Sequence, residues 1–292
     1  MRFFFALPVI WGLFLSLPPL LADDGDRATP SHRVQIEQAG ELVLRGFPQI
    51  DSPFVTVRLD QGPMRKMGDA DHFGGIDVEI LLHLAERLGV ELKIRPIAKP
   101  ELRLLLDDLG NGEGDISGGG LTITPERRQK VLFSRPYVSF HSVALVPMDR
   151  RPTRADLSSM RLTVLRGSSF DEKLTQLGLP ETRLHRGAFN MDGLERLAEG
   201  HSDMVFFDSC ALPEGVGHSL RAAFRFAELE HLGYALPKGS DLKPELDAVL
   251  DALEASGELQ KILDRSLRSI DATTLPVIQA EDFCGDDCRP IR

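Results

Sequence analysis

The strongest constraint on the fold is a change of apolar period between Asp77 and Ile94. Ile80, Leu81, Leu84 and Leu88 recur at helical spacing, and Gly89 follows as the residue that ends a helix. From Val90 the period shortens to two. Val90, Leu92 and Ile94 alternate with Glu91, Lys93 and Arg95, as a half-buried strand requires. Glu41–Arg45 reads as an earlier strand. Leu102, Leu105, Leu106 and Leu109 mark the inner face of a second helix, broken by Gly110-Asn111-Gly112, and Asp115-Ile116 starts a further strand. Helices alternating with strands predict an α/β fold with a largely parallel sheet, because parallel neighbours need a crossover between them.

The second half continues the alternation without a detectable sequence repeat. Arg161–Leu165 and Met204–Phe207 read as strands. Ser169 with Glu172 matches a capping box that opens a helix ending near Gly178. Met191, Leu194 and Leu197 mark another helix, and Leu232–Leu236 is extended. Two helices follow, with apolar faces Leu246/Val249/Leu250/Leu253 and Leu259/Ile262/Leu263/Leu267, parted at Gly257. From Asp271 to Arg292 no helical pattern remains.

The start of the chain is of a different kind. Arg2 precedes a nearly unbroken apolar run from Phe3 to Leu21, then Ala22 and the acidic stretch Asp23-Asp24-Gly25-Asp26. This reads as a secretory signal cleaved near Ala22, and Pro8, Pro18 and Pro19 weigh against a membrane anchor. Asp23 to Gly40 is expected as a flexible leader. The net charge is −10, from 34 basic and 44 acidic residues, so no basic face for nucleic acid is expected. Three cysteines are too few for a disulfide-built scaffold; Cys284 and Cys288 could close a small tail loop, or Cys210 could pair with either.

The chemically richest stretch is Gly118–Arg128, GGGLTITPERR. Three glycines after a strand let a ligand approach the backbone closely. Thr124 and Pro125 fit the cap and first turn of a helix, whose free N–H groups attract an anion, and Arg127 adds a bidentate donor for a carboxylate. No phosphate-binding loop of the G-x-x-x-x-G-K-[ST] type is present. Asp69–Gly74 lacks the oxygen ligands of a calcium loop, and the eight His form no metal-binding spacing, so no metal and no cofactor is expected.

Taken together, Gly75–Glu79, Ala85–Gly89, Gly114-Asp115, Leu121–Arg127, Phe133–Tyr137, Leu162–Ser169, Gly200–Ser209, Gly233–Gly239 and Gly257–Ile262 resemble, in order, the family 3 extracellular solute-binding proteins. These are the amino-acid receptors of ABC importers. The resemblance implies a two-lobed periplasmic-binding-protein fold of type II, with two hinge strands and the ligand in the cleft between lobes. It implies lobe 1 over 41–147, lobe 2 over 148–233, a return to lobe 1 over 234–270 and a tail over 271–292, with hinges near Ala144–Met148 and Tyr234–Pro237. Carried onto this sequence, Arg127 pairs with the ligand carboxylate. Gly120 and Thr122 contact the ligand from the loop. Ser168 and Ser169 supply further donors, and Asp208 receives the ligand ammonium. Asp51 and Phe54 are expected at the pocket wall. Opposite charges on opposite lobes would recognise a zwitterion and hold the cleft shut.

The expected function is therefore capture of an amino acid or similar solute in the periplasm by a monomer without catalytic activity, for a membrane permease. The chain is also similar to the binding domain of membrane-bound lytic transglycosylases, notably over Gly118–Arg127 and Arg166–Ser169. The residues after Leu267 are expected to be too few for a catalytic domain of that kind, with cell-wall peptide kept as a ligand class. Two alternatives stand beside this reading. One is a dehydratase-like enzyme on the same scaffold, with Glu101 or Asp51 as general acid; the other is a sensor.

Overall fold

The computed structural model describes residues 30–48, 52–58, 68–97, 101–188, 190–284 and 288. Asp51 and the expected signal segment Met1–Ala22 lie outside the described residues. In chain order the elements are α1 (His32–Ala39), β1 (Glu41–Gly46), β2 (Thr56–Val57), β3 (Phe73–Gly74), α2 (Ile76–Leu88), β4 (Glu91–Pro96), α3 (Leu102–Gly110), β5 (Ile116–Ser117), α4 (Pro125–Lys130), β6 (Leu132–Phe133) and β7 (Val138–Pro147). Then come β8 (Leu162–Leu165), α5 (Ser169–Gln176), β9 (Leu184–Gly187), α6 (Asn190–Ala198), β10 (Met204–Asp208), β11 (Leu220–Leu232), β12 (Ala235–Leu236), α7 (Lys243–Ala255), α8 (Glu258–Ser266) and β13 (Val277–Ile278).

Two large sheets organise these elements, beside the small antiparallel pair β2-β3. The first runs β4-β1-β5-β12-β6, with β1 parallel to both β4 and β5. The second runs β13-β11-β7-β10-β8-β9, with β8, β9 and β10 mutually parallel. Each sheet carries its own core. Leu42, Leu44, Ile80, Leu81, Leu84, Ile94, Leu246 and Leu250 are buried together in lobe 1, so the helical stripe of α2 and the alternation of β4 meet as expected. In lobe 2 the rings of Phe170, Phe206, Phe226 and Phe283 pack together, the first two stacked with centroids 4.8 Å apart.

The lobes are joined by β7 and β11, a long antiparallel pair. Val138 and Phe140 belong to the first core, Ala144 and Val146 to the second. On β11, Phe226 lies in the second core and Leu232 in the first, and the register shifts between Arg225 and Leu229. The passage between cores therefore precedes the expected hinges at Ala144–Met148 and Tyr234–Pro237 by several residues. The physical reason is that β7 changes from an alternating stretch, Val138–Ser142, to the continuously apolar Val143–Val146, and the passage between cores falls at that change.

Three further expectations are corrected. The leader expected through Gly40 contains α1, capped by Ser31 and closed by Gly40 at φ 70°. The tail returns to lobe 2: β13 pairs with β11, and Ile278 and Phe283 are fully buried there. Arg154 holds Asp282 at 2.6 Å. Helix α5 is capped by Ser168, one residue before the expected Ser169. Cys284 and Cys288 form the disulfide, and Cys210 is a buried free thiol.

Candidate functional site

The glycine loop is fixed from beneath by a buried carboxyl. Asp77 sits in the first turn of α2 and is wholly buried. The Gly119 N–H donates to its Oδ2, and the Tyr234 hydroxyl donates to its Oδ1 at 3.1 Å. Burial pushes the Asp77 carboxyl up to about 7, against the pull of these two hydrogen bonds. The Tyr137 ring stacks on Tyr234 with centroids 5.0 Å apart. A Cβ at Gly118 would lie 2.3 Å from the Asp77 Oδ2, so only glycine leaves room for that carboxylate.

Above the loop sits Phe54. Gly120 has φ 75°, and a Cβ there would come within 2.6 Å of the Phe54 ring. The carbonyls of Pro53 and Phe54 accept the first N–H groups of α2, from Ile76 at 2.9 Å and Asp77 at 3.0 Å. These bonds tie the segment carrying Phe54 to the helix carrying Asp77. Thr122 is buried and pairs with Leu232 of the hinge strand.

Arg127 is the link between the lobes. Thr124 caps α4 by accepting the Arg127 N–H at 3.2 Å, which places the arginine in the first turn. The residue is 4% exposed. One terminal nitrogen donates to the Thr122 carbonyl at 3.0 Å, the other to the Gly167 carbonyl of lobe 2 at 3.0 Å. The Glu172 carboxylate, also from lobe 2, stands 3.5 Å from the second. The Nε is buried without a hydrogen-bond partner among the described residues.

On the lobe 2 side, Asp208 ends β10. Its carboxyl is pushed up to about 7, first by burial and then by the charge of Glu230, while Arg127 pulls it down. No described residue donates a hydrogen bond to it. Glu230, on β11, is 8% exposed and is engaged by Lys173, by the Ser142 hydroxyl at 3.3 Å and by the Ser169 hydroxyl at 3.5 Å. Ser168 caps α5: its hydroxyl accepts the Asp171 N–H, and its backbone N–H donates to the Leu165 carbonyl at 3.0 Å.

The structure thus gathers Phe54, Gly120, Thr122 and Arg127 on one side and Ser169 and Asp208 on the other. Ser168 caps α5 through its hydroxyl oxygen, and Asp51 lies outside the described residues. Glu101, one of the two acids considered for an enzyme, precedes α3 and pairs with Arg103 at 3.2 Å. Sequence reasoning missed Asp77, Glu230 and the reach of Glu172 to Arg127. Asp77 carried a signal, as the acid just after Gly75 in the first turn of a strongly apolar helix. Glu230 carried none, because in Glu228-Leu229-Glu230 the alternation marks Leu229 as the inward residue, whereas the strand exposes Leu229 and buries Glu230.

Two lobes, two strands running between their cores and a basic residue of one lobe set against acids of the other define a two-lobed solute-binding protein. The chain belongs to the bacterial extracellular solute-binding proteins, family 3, whose profile matches residues 55–268. It is 30% identical over 263 residues to the membrane-bound lytic murein transglycosylase F of Ectopseudomonas mendocina (strain ymp), covering 86% of this chain and 51% of that protein. The chain therefore spans about half the length of that curated relative. Among solved structures, a mutant ArgBP from T. maritima superposes with a TM-score of 0.66 at 26% identity, over 80% of this chain and 98% of that one. AbpA, an amino acid ABC transporter substrate-binding protein from Streptococcus pneumoniae bound to L-arginine, gives 0.67 at 25% identity, over 80% and 97%. The expectation of a protein without catalytic activity is corrected here: the curated relatives are named as enzymes, murein transglycosylases. Among the described residues, no helix is long and apolar enough to cross a membrane.

Proposed function

We propose that this protein captures a zwitterionic solute, an amino acid or a short peptide, by closing its two lobes around it. Arg127 takes the carboxylate and Asp208 takes the ammonium. One observation carries this reading: a basic and an acidic group on facing lobes of the cleft each keep hydrogen-bonding capacity that the described residues leave unmet. The Arg127 Nε is buried without an acceptor, and the Asp208 carboxyl has no donor among the described residues. A charge left unpaired in a desolvated cleft is costly, and a ligand carrying both complementary groups relieves both costs at once. AbpA, bound to L-arginine, supports an amino acid as ligand class. Delivery to an ABC permease on the outer face of a membrane is part of the same proposal.

The transglycosylase relatives favour a second reading of the ligand, a peptide fragment of the cell wall, which also carries free carboxylate and ammonium groups. The test is calorimetric titration of the unfolded and refolded protein, freed of carried-over solute, against amino acids and against muropeptides. Tight one-to-one binding of an amino acid supports the first ligand class, and binding of muropeptides alone supports the second. No binding of either overturns the proposal.

A further inference from the structure

Strands β8 and β9 begin at Leu162 and Leu184, at the end of lobe 2 away from the cleft. Four strand residues, about 13 Å, separate these starts from the Arg166–Ser169 segment that faces Arg127. Around the strand starts lies a cavity of about 330 Å³ lined by Arg161, Arg183, His185, Arg196 and His201, with Glu181 as its one acid. Three arginines line one cavity in a chain whose net charge is −10, and Arg183 spends its guanidinium on the carbonyls of Met160, Phe283 and Leu157, which leaves Arg161 and Arg196.

Arg196 is the arginine of this cavity with a donor left over: its Nε is buried without a hydrogen-bond partner among the described residues. The nearby acids are engaged elsewhere. Asp203 pairs with Arg161 at 2.9 Å, Glu199 with His201 at 3.2 Å and Glu181 with Arg186 at 2.5 Å. Asp192 accepts the Ala188 N–H at 2.6 Å. The Arg196 charge is felt across the cavity: the His185 imidazole is held below its usual value, first by burial and then by Arg196. A guanidinium offers five donors, and a buried donor left unmet in a native protein calls for a bound partner.

We propose that this cavity is an anion site, separate from the inter-lobe cleft. It takes a doubly charged oxyanion, the chemistry of inorganic phosphate or of a phosphomonoester, with Arg196 as the principal donor and Arg161 beside it. Arg161 uses its Nε and one terminal nitrogen on Asp203 and keeps the other for a ligand. Because the ligand, the residues and the lobe face differ from those of the cleft, the site stands or falls independently of the zwitterion reading.

The experiment is calorimetric titration of the protein with inorganic phosphate and, separately, with glycerol phosphate, repeated on Arg196→Gln and on Arg268→Gln, a surface arginine outside the cavity. The expected result is saturable binding of one equivalent, weakened at least tenfold by Arg196→Gln and unchanged by Arg268→Gln. An unchanged melting temperature of Arg196→Gln shows that the loss is not unfolding, and partial retention in Arg196→Lys supports a charge-bearing role. Binding of the monoester alone assigns the site to an esterified phosphate, and equal binding of both assigns it to the free anion. No saturable binding of either at millimolar concentration, or binding unaffected by Arg196→Gln, overturns the proposal.

Discussion

The guanidinium of Arg127 donates to the carbonyl of Gly167 at 3.0 Å, so a side chain from the first turn of α4 bonds the backbone of the opposite lobe. The residue proposed to hold the ligand carboxylate is thus also a strut between lobes. Arg127→Ala is expected to cost about 3 kcal/mol of binding, roughly 100-fold, because it leaves a desolvated carboxylate unpaired. Arg127→Lys keeps the charge but loses the planar fork, and should fall between the two. Titration calorimetry of both variants checks this; full affinity in Arg127→Ala would exclude this residue from the site.

Asp208 offers a test through protons. Its carboxyl titrates near 7 because burial and Glu230 disfavour its charge, so at neutral pH the free protein holds it partly protonated. A ligand ammonium stabilises the carboxylate and lowers that value, which expels a proton on binding. Affinity should therefore rise as pH increases through about 7. Calorimetry in buffers of different ionisation enthalpy should register proton release near neutrality, and Asp208→Asn should abolish the release together with most of the affinity. Proton uptake would contradict the assignment.

These two residues were legible in the sequence for different reasons. Thr124-Pro125 fixes a helix start by local chemistry alone, so Arg127 could be placed in its first turn before any tertiary contact was known. Asp208 was legible only as the polar stop of the apolar run Met204–Phe207 together with the family resemblance. The acids around them were not legible, because their roles are created by contacts distant in sequence. Glu230 meets Lys173, and Glu172 meets Arg127, across the fold. The tail was obscure for another reason: β13 is two residues long and exists only because β11 offers an edge beside it. Helix α1 was hidden by its polar composition, with Ile36 as its one buried side chain.

Gly120 and Gly119 differ in a way that separates two costs. Both have positive φ, where a side chain costs about 1–2 kcal/mol. A Cβ at Gly119 meets open space, whereas one at Gly120 strikes the Phe54 ring at 2.6 Å. Gly119→Ala should lower the melting temperature by the backbone cost alone. Gly120→Ala should lower it further and impair ligand binding, since Phe54 must move. Thermal melts and titrations of the pair test the assignment of Phe54 to the pocket wall; equal effects in both would refute it.

Asp77 predicts how stability depends on pH. Its folded value, about 7, lies above the ordinary carboxyl value, so between roughly pH 4 and pH 7 the folded state binds more protons than the unfolded one. The stability it contributes is therefore lost as pH rises through that window. Asp208 acts in the same direction. The free protein should melt higher at pH 5 than at pH 8, apart from the opposing trend of the paired surface carboxylates. Asp77→Asn should flatten the slope. It also puts an amide N–H where the ionised carboxylate accepts from Gly119 or Tyr234, at about 1–3 kcal/mol for the group left unmet.

Glu172 stands where a ligand carboxylate would compete. Its side chain is 37% exposed and lies 3.5 Å from the Arg127 guanidinium. Burial raises its carboxyl, and the Arg127 charge works against that shift. A half-exposed pair of this kind contributes about 0.2–1 kcal/mol. A ligand carboxylate arriving at Arg127 must displace Glu172 or bind beside a like charge, and either course weakens it. Glu172→Gln removes the competitor and keeps the shape, so affinity for a carboxylate ligand should rise by up to about fivefold, that same interaction converted at 298 K. In the free protein the change should loosen the lobes, because one of the bonds across the cleft has gone. Small-angle scattering of the ligand-free variant should then give a larger radius of gyration, while the ligand-bound forms of variant and parent coincide. A fall in affinity would instead make Glu172 a direct contact of the ligand's positive group, a third acid beside Asp208 and Glu230.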